Sequence, residues 1–340
     1  MDNVIDSRSA GIRTGRFNSI QVLRALAAVS VVLFHSSVFG IGYSGVDIFF
    51  VISGFIMGTI GVNERPAVFV TNRLIRIVPL YWAVTLAICV LSFIPGAFKT
   101  FTFDVQTLTK SLLFVPYYDQ TGHIWPLIVP GWSLNYELFF YVIFAVGLCF
   151  RRAISFTIPV MVVLVLAGAL LPSESPLVHT YTNALLLEFA AGLALAQFQL
   201  IKGLWLGLAL LAAGIALFVH AGFAQHSDVE GFSRLMIFGV PAILVVAGAL
   251  FVERAGYWPR MKPLEAIGDA SYSLYLLHGF AVAFFHKFLH LPTPQMAVVI
   301  VVSSLIGALL SYRYFERPVA RLLRTTIGRR TALGPRLATG

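Results

Sequence analysis

Ten apolar runs, each near the length that crosses a bilayer, constrain this chain more than anything else in it. They fall at 20-38, 43-61, 79-95, 134-150, 154-171, 181-199, 204-221, 234-252, 271-290 and 295-314, and a helix needs about 20 predominantly apolar residues to span the hydrocarbon. With 58% hydrophobic and only 11% charged residues, the solvent for most of the chain is lipid. The expected fold is all-α, a polytopic integral membrane protein with about ten transmembrane helices. Its expected organisation is an N-terminal lead over 1-19, one membrane domain over 20-318 and a basic tail over 319-340. The third run is the least regular, because Pro95 and Gly96 cut it short.

The first run follows a polar, basic lead and ends without a small-x-small cleavage pattern, so it is expected to stay in the mature protein. Cys89 and Cys149 both lie inside apolar runs and read as packed or lipid-facing thiols; no disulfide framework or metal site is expected. Orientation follows from the cations. Arg8, Arg13, Arg16, Arg65, Arg73, Arg76, Arg151, Arg152, Lys202, Arg254, Arg260, Lys262 and the cations from Arg313 to Arg336 fall on one side of a ten-span arrangement. Lys99, Lys110, Arg234 and Lys287 fall on the other. The positive-inside rule then puts both termini in the cytoplasm, in a cell inner (plasma) membrane. Insertion and anionic headgroups account for the net charge of +9, and nucleic acid is not an expected partner.

Arg24 and His35 lie inside the first run, where a charge and an imidazole are costly unless something uses them. Eleven residues at about 100° each bring them to one helix face, about 16 Å apart along the axis. A snorkelling arginine and a histidine bonded to a neighbouring helix are the plainer explanation. Asp47 and Glu137 sit about four residues into their runs, at the same outer depth as His35. An imidazole with two carboxylates at one level suits proton abstraction; it also suits a polar network holding spans together. Glu188 and His278 fall nearer mid-membrane and read as network or tunnel residues, and Asp269 stands beside a span. Glu316 with Arg317 reads as an interfacial ion pair. The segment from 96 to 133 is rich in aromatics and prolines, which fits an interfacial cap and also a surface that stacks on a sugar.

Six segments, in order, carry a resemblance. They are Gln21 to His35, Ser44 to Phe55, Asn72 to Trp82, Pro130 to Tyr141, and the pair Gly268 to His278 with Tyr314 to Pro318. Over about 18 to 324 the chain resembles the membrane-bound acyltransferase 3 family, most of all its ExoZ-type exopolysaccharide O-acetyltransferases. The resemblance implies transfer of an acyl group, usually acetyl from cytoplasmic acetyl-CoA, to a hydroxyl of an exopolysaccharide, lipopolysaccharide or related glycolipid. It implies that Arg24 and His35 are essential, with His35 catalytic, and that Arg73 and Arg76 match the family's basic loop. Many members carry Asp-Gly-Leu-Arg where this chain has Gln21-Val22-Leu23-Arg24, so no Asp stands beside the arginine. The chain also ends soon after the tenth run, so the membrane domain is expected to act alone or with a separate partner such as a polysaccharide-assembly complex.

The residues suit the implied reaction. A thioester has a good leaving group, so the protein must hold donor and hydroxyl together, remove a proton and stabilise an oxyanion. Arg24, Arg73 and Arg76 are expected to bind the phosphates of the acyl-CoA donor, with no tightly bound cofactor; for Arg73 and Arg76, ordinary positive-inside charge is the plainer alternative. His35, Asp47 and Glu137 are the expected catalytic group. His35 either acts as a base on the acceptor or accepts the acyl group first. A proton-coupled transporter or flippase also needs buried His, Asp, Glu and Arg. Against it, the chain lacks paired Gly/Pro-broken helices in matching halves. A non-catalytic scaffold of an envelope assembly is the third reading, and it requires His35 to be dispensable.

Overall fold

The computed structural model describes residues 16–94, 101–171, 173–198, 203–223 and 229–332, which are helices and connections with no strand among them. In chain order the helices are α1 (Asn18–His35), α2 (Gly45–Thr59), α3 (Pro66–Leu91), the short α4 (Val105–Leu112), α5 (Trp132–Cys149), α6 (Ala153–Leu170), the short α7 (Pro176–Tyr181), α8 (Leu186–Gln197), α9 (Leu204–Phe223), α10 (Gly231–Arg254), α11 (Lys262–Asp269), α12 (Ser271–Phe288) and α13, which opens with Thr293–Ser311. Eight of them are long and apolar enough to cross a membrane: α1, the segment Gly40–Asn63 holding α2, α3, Val129–Cys149 holding α5, α6, α9, α10 and α13. The protein is an all-α polytopic membrane protein.

Several expected boundaries move. The third span begins at Pro66, not 79, because proline at the first helical position pre-sets the backbone and loses no hydrogen bond there. Arg73 and Arg76 therefore stand on a helix and not in a loop. The sixth run resolves into α7 and the 12-residue α8, about 18 Å long. The ninth is one 18-residue helix, α12, and its Ser, Tyr, His and Lys side chains set it apart from the eight. The last helix does not stop at 318: a π turn, Tyr312–Glu316, carries it into Arg317–Ala332. A second π turn, Leu235–Gly239, lies in α10. Both turns end two residues before a proline, Pro318 and Pro241, where the ring would otherwise clash with a carbonyl one turn back. The expected lead up to residue 15, the third run's end at 95, the sixth's at 199 and the tail from 333 lie outside the described residues.

Helix α1 is central and packs against α2, α10, α11, α12 and α13. No side chain of its own caps its first turn. Glu253 of α10 does so instead, accepting from the backbone N–H of Asn18 (2.7 Å) and Ser19 (3.0 Å) and from the Ser19 hydroxyl; a carboxylate suits the positive end of a helix. Helices α2 and α8 cross almost backbone to backbone, since a Cβ at Gly54 would lie 2.1 Å from the Phe189 carbonyl oxygen and one at Gly192 2.1 Å from that of Val51. Such close approach is how helices gain contact in lipid. Phe50, Phe189 and Phe140 then join α2, α8 and α5, with successive ring centroids 4.6 Å apart. By contrast, only 22% of the apolar window is buried in α6 and α9, against 72% in α10, so α6 and α9 turn most of their surface to lipid.

Candidate active site

Two cavities open along the polar face of α1. The one at its basic end, about 350 Å³, is lined by Arg16, Gln21, Arg24, Arg73, Arg76 and Glu137, and Tyr275 and Val46 close it at the far side. The other, about 630 Å³, is lined by His35, His278, Trp132 and Arg234, and it shares Val46 and Tyr275 with the first. The Tyr275 hydroxyl hydrogen-bonds that of Ser133 (3.0 Å). Arg24 and His35 thus line adjacent cavities, with Val46 and Tyr275 in the wall of both, consistent with their shared helix face.

In the basic chamber, the Gln21 side chain accepts from Arg24 at 3.3 Å. Among the described residues no carboxylate lies at ion-pair distance from Arg24 or Arg76. Arg73 is partly committed: it donates to Glu64 (3.4 Å) and lies over the Phe69 ring. Glu137 accepts from Ser53 (3.2 Å) and from Tyr141 one turn along α5. Arg16, at the mouth, pairs with Asp269 (3.2 Å) and Glu265 (3.8 Å). Glu316 also differs from expectation, accepting from Ser273 at 2.8 Å with no ion pair to Arg317.

In the histidine chamber, the rings of His35 and His278 lie 5.0 Å apart. The Nδ1 of His278 is 2.7 Å from the Tyr275 carbonyl oxygen. A carbonyl only accepts, so that nitrogen carries a proton and Nε2 of the neutral ring is left as an acceptor. Among the described residues no protein group hydrogen-bonds the His35 ring, which leaves its nitrogens to a ligand or to water.

The expected level of His35, Asp47 and Glu137 is not one cluster. Asp47 is fully buried and accepts two hydrogen bonds from Arg234, from Nε at 3.0 Å and Nη2 at 2.8 Å. Glu137 lies in the other chamber. Their expected common depth fails as well: Glu137 bonds Ser53, six residues and about 9 Å further along α2 than Asp47, because the count from each run's end does not fix how far neighbouring helices slide or rotate against one another. Arg234, expected as an outward-facing charge, is instead held inside, over the rings of Tyr43 (5.1 Å) and Trp132 (5.6 Å). Glu188 is fully buried beside the Asp47–Arg234 pair. Sequence reasoning missed Arg234, Ser53, Tyr141 and Tyr275. The one cue for Arg234 was a cation at the edge of an apolar run, where orientation counting claims it first.

The family described as an acyltransferase domain matches residues 17–313. The chain is 35% identical over 315 residues to an exopolysaccharide production protein, ExoZ, of Rhizobium meliloti (strain 1021), covering 87% of this chain and 94% of that one. It is 28% identical over 331 residues to a putative membrane-bound transacylase, BcsY, of Komagataeibacter xylinus, covering 89% and 82%. It is 26% identical over 349 residues to the O-acetyltransferase OatA of Staphylococcus aureus (strain NCTC 8325 / PS 47), covering 88% of this chain and 56% of that protein. No solved structure matches the chain.

Proposed function

Because the chain belongs to the acyltransferase family whose domain spans residues 17–313, we propose that it moves an acetyl group from cytoplasmic acetyl-CoA to a hydroxyl of an exopolysaccharide or related glycan outside the plasma membrane. The observation that carries this reading is the pair of adjacent chambers that share Tyr275 in their walls, with Arg24 and Arg76 lacking a carboxylate partner in one and the His35 imidazole without a hydrogen bond in the other. The names of the similar ExoZ and OatA proteins support the glycan and the acetyl group.

Arg24 and Arg76 bind donor phosphates with paired N–H groups, and Arg73 assists from its place beside Glu64. The roughly 16 Å rise from Arg24 to His35 is comparable to an extended pantetheine arm, so the thioester reaches the shared wall at Tyr275. His35 takes the proton of the acceptor hydroxyl as its oxygen attacks the thioester carbonyl. The carbonyl–sulfur bond then breaks, and the coenzyme A thiolate leaves through the basic chamber and recovers a proton. Asp47 acts through Arg234 as a positioning residue, and Glu137 offsets the arginines around the donor.

The test is mass spectrometry of the exopolysaccharide and lipopolysaccharide of cells with and without this chain. The expected result is loss of an acetyl mass from one glycan on deletion, restored by the wild-type chain but not by His35→Ala. Unchanged acetylation of every surface glycan on deletion would overturn the reading.

A further inference from the structure

A third cavity, about 270 Å³, lies beside the histidine chamber and shares His123, Trp125, Trp132, Glu230 and Arg234 with it. One wall is a parallel stack of the His123 and Trp125 rings, with centroids 4.1 Å apart and planes 9° from parallel. The loop carrying the stack is braced. Asp119 accepts from the backbone N–H of Thr121 and of His123, both at 2.9 Å, and Thr121 Oγ1 bonds His123 Nδ1 at 2.8 Å. Gly122 turns the chain at φ +82°, a backbone that side chains disfavour. The stack is therefore set before any ligand arrives.

The cavity is also lined by amides. Asn135 is buried, and among the described residues no protein group hydrogen-bonds its side chain; an amide left so is costly unless a ligand or water completes it. The Asn183 oxygen is already used by the backbone N–H of Leu185 (3.0 Å), which leaves its two N–H donors for the cavity. Glu230 adds an acceptor, while Arg234 is taken by Asp47. A flat apolar platform sharing its cavity with donors and acceptors fits a ring with C–H faces and a hydroxyl edge. The volume lies just under the roughly 300 Å³ at which pockets for drug-sized ligands begin, which suits a single ring.

Resting on the acetyl-transfer reading above, we propose that this cavity is the acceptor subsite: an uncharged pyranose unit stacks on Trp125, is held by Asn135, Asn183 and Glu230, and extends one hydroxyl into the chamber of His35. The carboxylate of Glu230 and the neutralised Arg234 select against polyanionic acceptors.

The test uses the full chain in lipid nanodiscs with acetyl-CoA and, as acceptor probe, alkali-deacetylated oligosaccharide fragments of the exopolysaccharide from cells that carry it. Trp125→Ala raises the acceptor KM by about tenfold, the order of one lost aromatic contact with its buried area, and moves the acetyl-CoA KM by less than about twofold. Trp125→Phe recovers most of the acceptor affinity, and the isosteric Glu230→Gln raises the acceptor KM by a smaller factor. An active wild type with an unchanged acceptor KM in both Trp125→Ala and Glu230→Gln overturns the subsite alone. Equal losses toward donor and acceptor in Trp125→Ala also overturn it, by making the residue structural. A wild type that transfers no acetyl group to the probe overturns the functional reading and the subsite with it.

Discussion

Arg24 and Arg76 reach the basic chamber with no carboxylate at ion-pair distance among the described residues, whereas Arg234, at the histidine end, is clamped by both oxygens of Asp47 and covered by two aromatic rings. Two arginine environments in one membrane domain thus divide the work. A guanidinium clamped by a carboxylate of its own protein is poorly placed to bind a phosphate, while one facing a cavity with no carboxylate beside it is neutralised only when an anion arrives. Arg73 stands between the two, since Glu64 holds it loosely at 3.4 Å.

The largest expected effect separates chemistry from both kinds of arginine. His35→Ala lowers acetyl transfer by about 10²–10⁴-fold, the usual contribution of a general base, while the protein still inserts. Acetyl transfer in membranes at matched expression checks this, and wild-type-like activity would remove His35 from the reaction.

Next comes the paired arginine. Asp47→Asn takes from buried Arg234 the carboxylate that clamps it, at a cost of about 3–5 kcal/mol, so thermal unfolding in detergent should shift sharply downward. Replacing both partners by apolar residues of similar volume should recover most of that stability. If Asp47→Asn unfolds like wild type, the clamp does not anchor the histidine end, and the contrast between the chambers fails.

For the unpaired arginine the opposite pattern is expected. Arg24→Lys leaves thermal stability close to wild type but raises the acetyl-CoA KM by about tenfold, because a lysine cannot make paired donor contacts to phosphate. A donor KM that does not move would reassign Arg24 to snorkelling charge. The smallest effect belongs to the shared wall: Tyr275→Phe removes one hydrogen bond to Ser133, worth about 1 kcal/mol, so turnover should change only a few-fold. A loss as deep as that of His35→Ala would move the hydroxyl of Tyr275 from wall to chemistry.

Much of this was legible in the chain. Apolar runs of bilayer length located most helices within a turn, and 3.6-residue periodicity put Arg24 and His35 on one face of α1, where each lines one of two adjacent cavities. The sequence order of motifs pointed to the family that matches 17–313. Less legible were the interruptions. Proline signals placed the start of α3 at Pro66 and the π turns before Pro241 and Pro318, yet hydropathy alone had drawn a late start for the third span and an end to the tenth.

Composition and periodicity determined the solvent and most of the helices, because these depend on residues close in sequence. Only tertiary structure decided partners: that Asp47 belongs to Arg234, 187 residues away, that Glu137 belongs with the arginines, and that His35 faces His278. A helix fixes the spacing of its own side chains but not its rotation against its neighbours. That rotation is set by packing, such as the Gly54–Gly192 crossing of α2 and α8, which depends on surfaces from distant segments meeting in lipid.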